Sequence, residues 1–510
     1  MWSIKIKRLI KFFSNPKTLF KIIIGFFIVE GLYFSLFAAY PQAFDENFHF
    51  GLIKIYSHHL SPFLTSQPAG GDLYGAVARD PSYFYQYLMS FPYRLFAHFF
   101  SSQIAQVIFL RVIDVLLFAG GLIIFKKIFK KIGLTQKISN IIILIFILIP
   151  IVPQVAGQVN YDNLVFLSTA WVLLLSVNLI DQIKSKKISA TTILLLIGSS
   201  IFASIVKFEF MPIFLAIVLY TFWLGYRIFN KSIHKILSNF VLDFKKLKIL
   251  NKSILILFVL LSLLLFFQRD GYNLIKYHTL SPKCDVVLNT SDCSAYSVWY
   301  HDYISHQLVA TNAVNVNSNV VVYLAQWFYW IWYRLFFSVS GPTTSFRNYP
   351  PLPLPSAGFI IISLLTIFAL IKLRTKIFKI NNYFNLFYLV IVVYLLTLIY
   401  EGYKTYQYTG VLELMNGRYL LPILLLASAP ATYMIGKTIS TNHKVKMIVA
   451  SIIVLLFLEG GGVITFITRN DSDWIWSNPT VNKINNAAKT ISKHLVVEGN
   501  KYYTTNVWFF

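Results

Sequence analysis

The chain has 510 residues, of which 56% are apolar, 17% aromatic and only 13% charged, and its mean hydropathy of +0.63 excludes an ordinary soluble globule. Its 45 Lys and Arg against 20 Asp and Glu leave a formal charge of +25. Those cations fall between apolar runs, where they set topology against anionic lipid heads, so no nucleic-acid partner is implied. The composition predicts an all-α polytopic membrane protein.

The first apolar run, Leu19 to Tyr40, follows Lys5, Lys7, Arg8, Lys11, Lys17 and Lys21 and has no small-residue cleavage site before the next carboxylates. It reads as a retained signal anchor. Crossing a hydrocarbon core takes about 20 helical residues, and about eleven segments qualify or nearly so. They are 19–40, 104–125, 139–157, 163–181, 189–206, 208–226, 253–267, 356–373, 384–400, 418–436 and 447–467. Several are short, so broken or half-buried helices are expected among them.

With a cytoplasmic N-terminus, segments 1–21, 126–137, 184–187, 227–252, 372–379 and 437–446 all lie inside and hold well over half of the 45 cations. Most acids fall on the other side. This positive-inside pattern predicts a multi-pass protein of the plasma (inner) membrane with its C-terminus outside. Three outer segments, 41–103, 268–355 and 468–510, are longer than a connection needs, which makes the outer face the working face. The organisation is one multi-span domain, 1–467, followed by a short outer tail, 468–510.

Within the first outer loop, Tyr83, Phe84, Tyr87, Leu88, Phe91 and Leu95 carry helical spacing that predicts an interfacial helix. The second outer loop holds both cysteines, Cys284 and Cys293, nine residues apart. In an oxidising exterior they are expected to form a disulfide, the alternative being two free thiols. The same loop is rich in Tyr and Trp, from Tyr296 and Trp299 to Trp327, Trp330, Trp332 and Tyr333, a pattern expected of a membrane-anchoring aromatic belt, the alternative being substrate stacking. Pro350-Pro351-Leu352-Pro353-Leu354-Pro355 then breaks regular structure before the next span.

Polar residues gather where outer loops meet spans. A helix starting near Asp45 stacks Asp45 and His49 at i and i+4, with Glu46 about 100° round. That face offers a carboxylate base for a hydroxyl or a ligand for a divalent metal, unless it is a solvated turn. Asp162, at the start of a span, is either a helix cap or a site residue. Lys207 and Glu209 suit a snorkelling cation with a solvated acid, or a phosphate contact with its partner. Arg418 lies at the wrong end of a helix for the dipole, which calls for a compensating anion. Arg111 and Asp114, three apart in a span, read as a mutually neutralising pair.

Together, Phe44-Asp45-Glu46 with His49-Phe50, Asp80-Pro81-Ser82-Tyr83-Phe84-Tyr85, Asn160-Tyr161-Asp162, Lys207 and Gly417-Arg418-Tyr419-Leu420-Leu421-Pro422 resemble a membrane glycosyltransferase of the GT-C superfamily. The chain is most similar there to the bacterial family called domain of unknown function 2142, and more distantly to protein O-mannosyltransferases, whose first loop carries a similar Phe-Asp-Glu-x-x-His-Phe string. The resemblance covers about 45 to 422. Two positions depart from the pattern: Pro81-Ser82 stands where a Pro-Pro pair is usual, and Phe208-Glu209 follows Lys207 where a small residue is usual.

The resemblance implies transfer of a sugar, often with inversion, from a polyprenyl-phosphate donor to an envelope glycan, lipid or protein acceptor outside the membrane. It implies Asp45 as catalytic base, with Glu46 and Asp162 assisting. Lys207, Arg418 and Arg79 are then candidate donor-phosphate contacts, and His49, Tyr83, Tyr85 and Tyr419 candidate substrate contacts. Asp45 and Asp162, beside Glu46 and His49, are candidate ligands for Mg²⁺ or Mn²⁺, since carboxylates suit hard cations. Two other classes stay open. A carrier or flippase for a lipid-linked glycan is suggested by intramembrane Glu30, Arg111, Asp114 and Glu459. A polysaccharide polymerase or ligase would use the same outer site with a diphosphate-linked donor.

Overall fold

A computed structural model describes residues 15–43, 45–313, 316, 319–336, 341–342, 353–373, 382–438, 444, 447–448, 451–452, 461–470 and 472–491. Among these residues there are helices and two isolated bridges, Ala38 with Ile475 and Gln42 with Pro342, but no strand. The protein is an all-α multi-pass membrane protein. Phe44, positions 449–450 and 453–460 (Glu459 among them) and the tail beyond Ile491 lie outside the described residues.

Helix α1 (Pro16–Phe37) starts cleanly because the Asn15 side chain accepts from Lys17 N at 3.0 Å and Pro16 pre-sets the first helical φ. After it come α2 (Glu46–Ser57), α3 (Phe84–Phe99), α4 (Gln103–Lys131), α5 (Gln136–Ile147), α6 (Ile151–Ala156), α7 (Tyr161–Lys184), α8 (Ala190–Val206), α9 (Met211–Ile228), α10 (Ile233–Lys246) and α11 (Ile249–Phe266). Beyond α11 lie α12 (Ser297–Ala310), α13 (Val320–Phe336), α14 (Pro353–Leu373), α15 (Asn382–Thr409), α16 (Leu421–Thr438), α17 (Val463–Arg469) and α18 (Pro479–Ile491).

Seven helical segments among the described residues are long and apolar enough to cross a membrane: Pro16–Phe37, Gln103–Lys131, Tyr161–Lys184, Phe208–Ile228, Ile249–Tyr277, Asn382–Thr409 and Gly417–Ile435. The expected spans at 189–206 and 356–373 are shorter apolar helices. The expected span 139–157 is broken: α5 stops at Ile147, and α6 restarts after Pro150. A break at this depth strands carbonyls, and the Leu148 carbonyl is met by Gly462 N at 2.7 Å. At the end of α6, Gly157 passes so close to α1 that a Cβ there would lie 2.4 Å from Phe34 Cβ. Only glycine permits that approach.

The core between α1, α4, α5 and α7 is aromatic, with Phe118 stacked on Phe166 at 4.0 Å and Phe146 on Phe166 at 5.6 Å. Not every aromatic of the second loop faces lipid. Helix α13 buries Trp327 and Tyr333 in the protein while leaving Phe328 and Tyr329 exposed, so the expected belt is in part core packing. The cysteines form the Cys284–Cys293 disulfide, with Cα atoms 5.8 Å apart. The start of the tail docks on the C-terminal end of α1: Ala39 N donates to the Trp474 carbonyl at 2.8 Å, and Trp476 N to that of Phe37 at 3.0 Å. Trp474 is buried beside Phe34 and Phe466.

Candidate active site

Arg111 organises the first half of the site from inside α4. Its guanidinium donates to the Ala38 carbonyl at 2.6 Å, at the C-terminal end of α1, where a cation suits the dipole. The same group grips Glu46 as a fork, Nε to Oε1 at 2.7 Å and Nη2 to Oε2 at 2.6 Å. Glu46 also accepts from Gln42 N at 2.8 Å and Val159 N at 3.0 Å. Both side chains are fully buried.

This geometry corrects two expectations. Arg111 is not paired with Asp114, because Glu46 takes its fork; Asp114 instead accepts from the Tyr85 hydroxyl at 2.6 Å and Asn160 N at 3.3 Å. Glu46, expected to assist catalysis, has both oxygens engaged by four donors and no open face, so its work is to fix the start of α2. Asp45 is thereby aimed. It adopts the left-handed conformation, φ 69°, which Asp tolerates better than most residues. It stands at the N-cap position of α2 without capping it, so the carboxylate points elsewhere.

It points to Arg418. The Arg418 Nη2 donates to Asp45 Oδ2 at 2.6 Å, and its Nε lies 4.0 Å from Asp162 Oδ2. Lys207 Nζ donates to the other Asp162 oxygen, Oδ1, at 2.7 Å. Lys207 and Asp162 are buried, at 2% and 3% side-chain exposure, whereas Asp45 sits in a protein-walled recess yet keeps 49% of its side chain open. The four charged residues come from four places in the chain and meet in one cluster. Asp162 is no cap, because the Asn160 side chain accepts from Asp162 N at 2.9 Å and leaves the carboxylate free for Lys207.

Burial works to raise the Asp45 carboxyl, but the Arg418 guanidinium beside it, helped by Lys207, holds it below its ordinary range. Burial likewise works to lower the Lys207 ammonium, and Asp162 and Glu209 together outweigh it and hold it above its ordinary value. Asp45 and Lys207 are thus both charged near neutrality. The place a divalent cation would take between Asp45 and Asp162 is filled by Arg418, so the expected Mg²⁺ or Mn²⁺ site on these two residues is already neutralised by protein.

Aromatic rings wall the cluster. Lys207 Nζ lies 4.6 Å from the Tyr161 ring centroid and 5.0 Å from that of Tyr419, and the Arg418 guanidinium 5.2 Å from Tyr419. The His49 ring meets Tyr161 edge to face at 4.4 Å. The Gln86 amide, oriented by its hydrogen-bond network, accepts from His49 Nδ1 at 3.1 Å and donates to the Ser82 and Tyr83 carbonyls at 3.0 Å. That tautomer leaves the buried His49 Nε2 with a lone pair and no protein partner. Burial drives the imidazole down to about 3, opposed by Asp45, so Nε2 accepts a hydrogen bond without taking the proton.

Three expected contacts are engaged by other partners, although the Tyr85 ring meets that of His49 edge to face at 5.9 Å. Arg79 stacks on Tyr272 at 4.1 Å and donates to the Thr65 carbonyl. Tyr83 is buried with its hydroxyl on the Leu265 carbonyl at 2.9 Å and its ring under Arg269 at 3.7 Å. Tyr85 is held by Asp114. Two rings not singled out from sequence belong to the cluster instead: Tyr161, and Tyr296, whose hydroxyl burial and the nearby Asp45 charge push upward. Tyr161 was legible, being the middle of Asn160-Tyr161-Asp162; nothing local marks Tyr296.

The two departures from the family pattern touch each other. Phe208 N donates to Ser82 Oγ at 3.0 Å, a bond that proline at 82 has no group to accept. The bond ties the long loop after α1 to the residue after Lys207. A cavity of about 180 Å³ among Leu179, Ile183, Leu196, Phe222 and Ile236 is lined by apolar side chains and by none of these charged residues. No protein-family model, curated protein or solved structure matches this chain.

Proposed function

We propose that the protein is a membrane glycosyltransferase that moves a sugar from a polyprenyl-phosphate donor to an envelope glycan, lipid or protein acceptor. In this reading it resides in the plasma membrane with its N-terminus cytoplasmic, and the charged cluster works on the outer face. The observation that carries the reading is the interleaving of two carboxylates with two cations, Asp45–Arg418 at 2.6 Å and Asp162–Lys207 at 2.7 Å, where outer loops meet spans.

A lipid-linked sugar phosphate carries its charge at headgroup depth and its tail among the spans. Its phosphate competes with Asp45 for the Arg418 fork, a planar donor suited to two oxygens. Once Arg418 turns to phosphate, the main influence depressing Asp45 is weakened, and its proton affinity rises as the acceptor arrives. Asp45 then takes the acceptor hydroxyl proton, the acceptor oxygen forms its bond to the anomeric carbon, and the bond from that carbon to the phosphate oxygen breaks. The departing phosphate keeps the electron pair, and Lys207 and Arg418 stabilise its charge. His49 Nε2 receives a hydrogen bond from a sugar or acceptor hydroxyl.

The carrier reading gains no support from the intramembrane charges among the described residues. Arg111 is locked to Glu46, Asp114 to Tyr85 and Asn160, and Glu30 accepts from Val463 N at 3.1 Å. The test is transfer from a polyprenyl-phosphate sugar in proteoliposomes by the wild-type protein and by Asp45→Asn. A fall of about 10²- to 10⁴-fold is expected for loss of a general base. Unchanged transfer by Asp45→Asn overturns the assignment.

A further inference from the structure

Beside this cluster, and independent of the transferase reading, a second group of polar side chains converges. His301 and Asp302 of α12 meet Glu413 of the loop that follows α15, with one ligand atom from each lying within 4.8 Å of the others. His301 Nδ1 is 3.6 Å from Asp302 Oδ1, and all three residues are partly buried. The elements that supply them are clamped together: the His306 ring stacks on Tyr408 at 3.7 Å and Nδ1 of His306 donates to the Tyr408 carbonyl at 3.0 Å. Lys283 Nζ lies over the other side of the contact, 3.7 Å from the Tyr408 centroid.

A separate feature points to something between these groups. Tyr323 is 1% exposed, and its buried hydroxyl has no hydrogen-bond partner. That oxygen lies 2.6 Å from the point a Gly402 Cβ would occupy, and the Glu413 carbonyl oxygen lies 3.4 Å from the same point. The hydroxyl therefore lies near the Glu413 main chain, within reach of the Glu413 charge. Burying a hydroxyl without a partner is costly, and a water held on a cation would satisfy it.

We propose that His301, Asp302 and Glu413 bind a divalent first-row transition metal, with Tyr323 bonding to a metal-bound water. One imidazole nitrogen with two carboxylates favours Zn²⁺ or Mn²⁺ over the all-oxygen preference of Mg²⁺ and Ca²⁺. The ion ties α12 to the loop that runs five residues on from Glu413 to Arg418. It orders the mouth of the charged cluster without entering it.

The test uses full-length protein in detergent, stripped with chelator and titrated separately with Zn²⁺ and Mn²⁺. Bound metal is counted by elemental analysis, and the Mn²⁺ environment is read by electron paramagnetic resonance. Wild type should take up one equivalent and gain thermal stability on binding, and Glu413→Gln and Asp302→Asn should each weaken binding at least 10-fold. Tyr323→Phe should keep the metal with altered water coupling in the Mn²⁺ spectrum. Absence of stoichiometric uptake by wild type overturns the proposal, as does equal uptake by both carboxylate variants. If a variant fails to fold, the stoichiometry and stability gain of wild type alone decide.

Discussion

Arg418 donates to Asp45 at 2.6 Å across 373 residues of chain, and the same guanidinium approaches Asp162 at 4.0 Å. One cation therefore holds a half-open carboxylate and a buried one in a single constellation. The relationship makes Asp45's acidity a property of Arg418, and this can be measured.

Arg418→Gln should move the acid limb of the kcat/KM profile to higher pH. Asp45 is depressed chiefly by Arg418, so removing the guanidinium lets burial raise the carboxyl, and more protons are bound at a given pH. Residual transfer measured from pH 4 to 8 checks it; an unmoved limb would show that Asp45 does not set the profile.

Arg418→Lys and Lys207→Arg should separate the two cations. If both meet the donor phosphate, each conservative change should weaken binding of polyprenyl phosphate, by about 10-fold or more for loss of the Arg fork, since charge-assisted bonds contribute about 1.5–3 kcal/mol. Titration of the lipid phosphate at two salt concentrations is the measurement. Affinity equal to wild type in both variants argues against a phosphate subsite.

Breaking the Arg111–Glu46 fork should damage the fold before the chemistry. Both side chains are fully buried, and removing one partner of such a pair costs about 3–5 kcal/mol. Arg111→Met and Glu46→Gln should each lower the thermal midpoint in detergent, and the double variant should recover part of the loss. Additive losses would mean that the two residues act separately.

His49 should make the protein less stable as pH falls from 7 to 5. Its folded value of about 3 lies below the ordinary 6.5, so in that window the unfolded chain takes up a proton that the folded one refuses. The contribution is complete above 6.5 and fades as pH drops toward 3. By pH 5 the loss approaches about 2 kcal/mol, in a pocket shared with Asp45, Asp162, Lys207 and Arg418. His49→Gln, which keeps a donor for Gln86, should flatten the dependence of the thermal midpoint on pH in this window; an unchanged slope counts against a buried neutral imidazole.

Composition and periodicity by themselves determined the all-α multi-pass architecture, the pairing of the two neighbouring cysteines, a helix at Phe84–Phe99 and the demand that Arg418 find an anion. These follow from local physics: about 20 apolar residues match a bilayer, and a cation at a helix N-terminus opposes the dipole. Which anion answers was not legible, because Asp45 and Asp162 compete for Arg418 through space and sequence carries no distances. The same reason explains why Arg111 left its neighbour Asp114 for Glu46, 65 residues away, where a fork geometry and two backbone donors satisfy the carboxylate better than one turn of helix allows. It also explains why Glu46, adjacent to Asp45 in the chain, faces the interior while Asp45 faces the recess: Asp45 precedes the first turn of α2 in a left-handed conformation, and the Arg111 fork and the Arg418 guanidinium draw the two carboxylates apart.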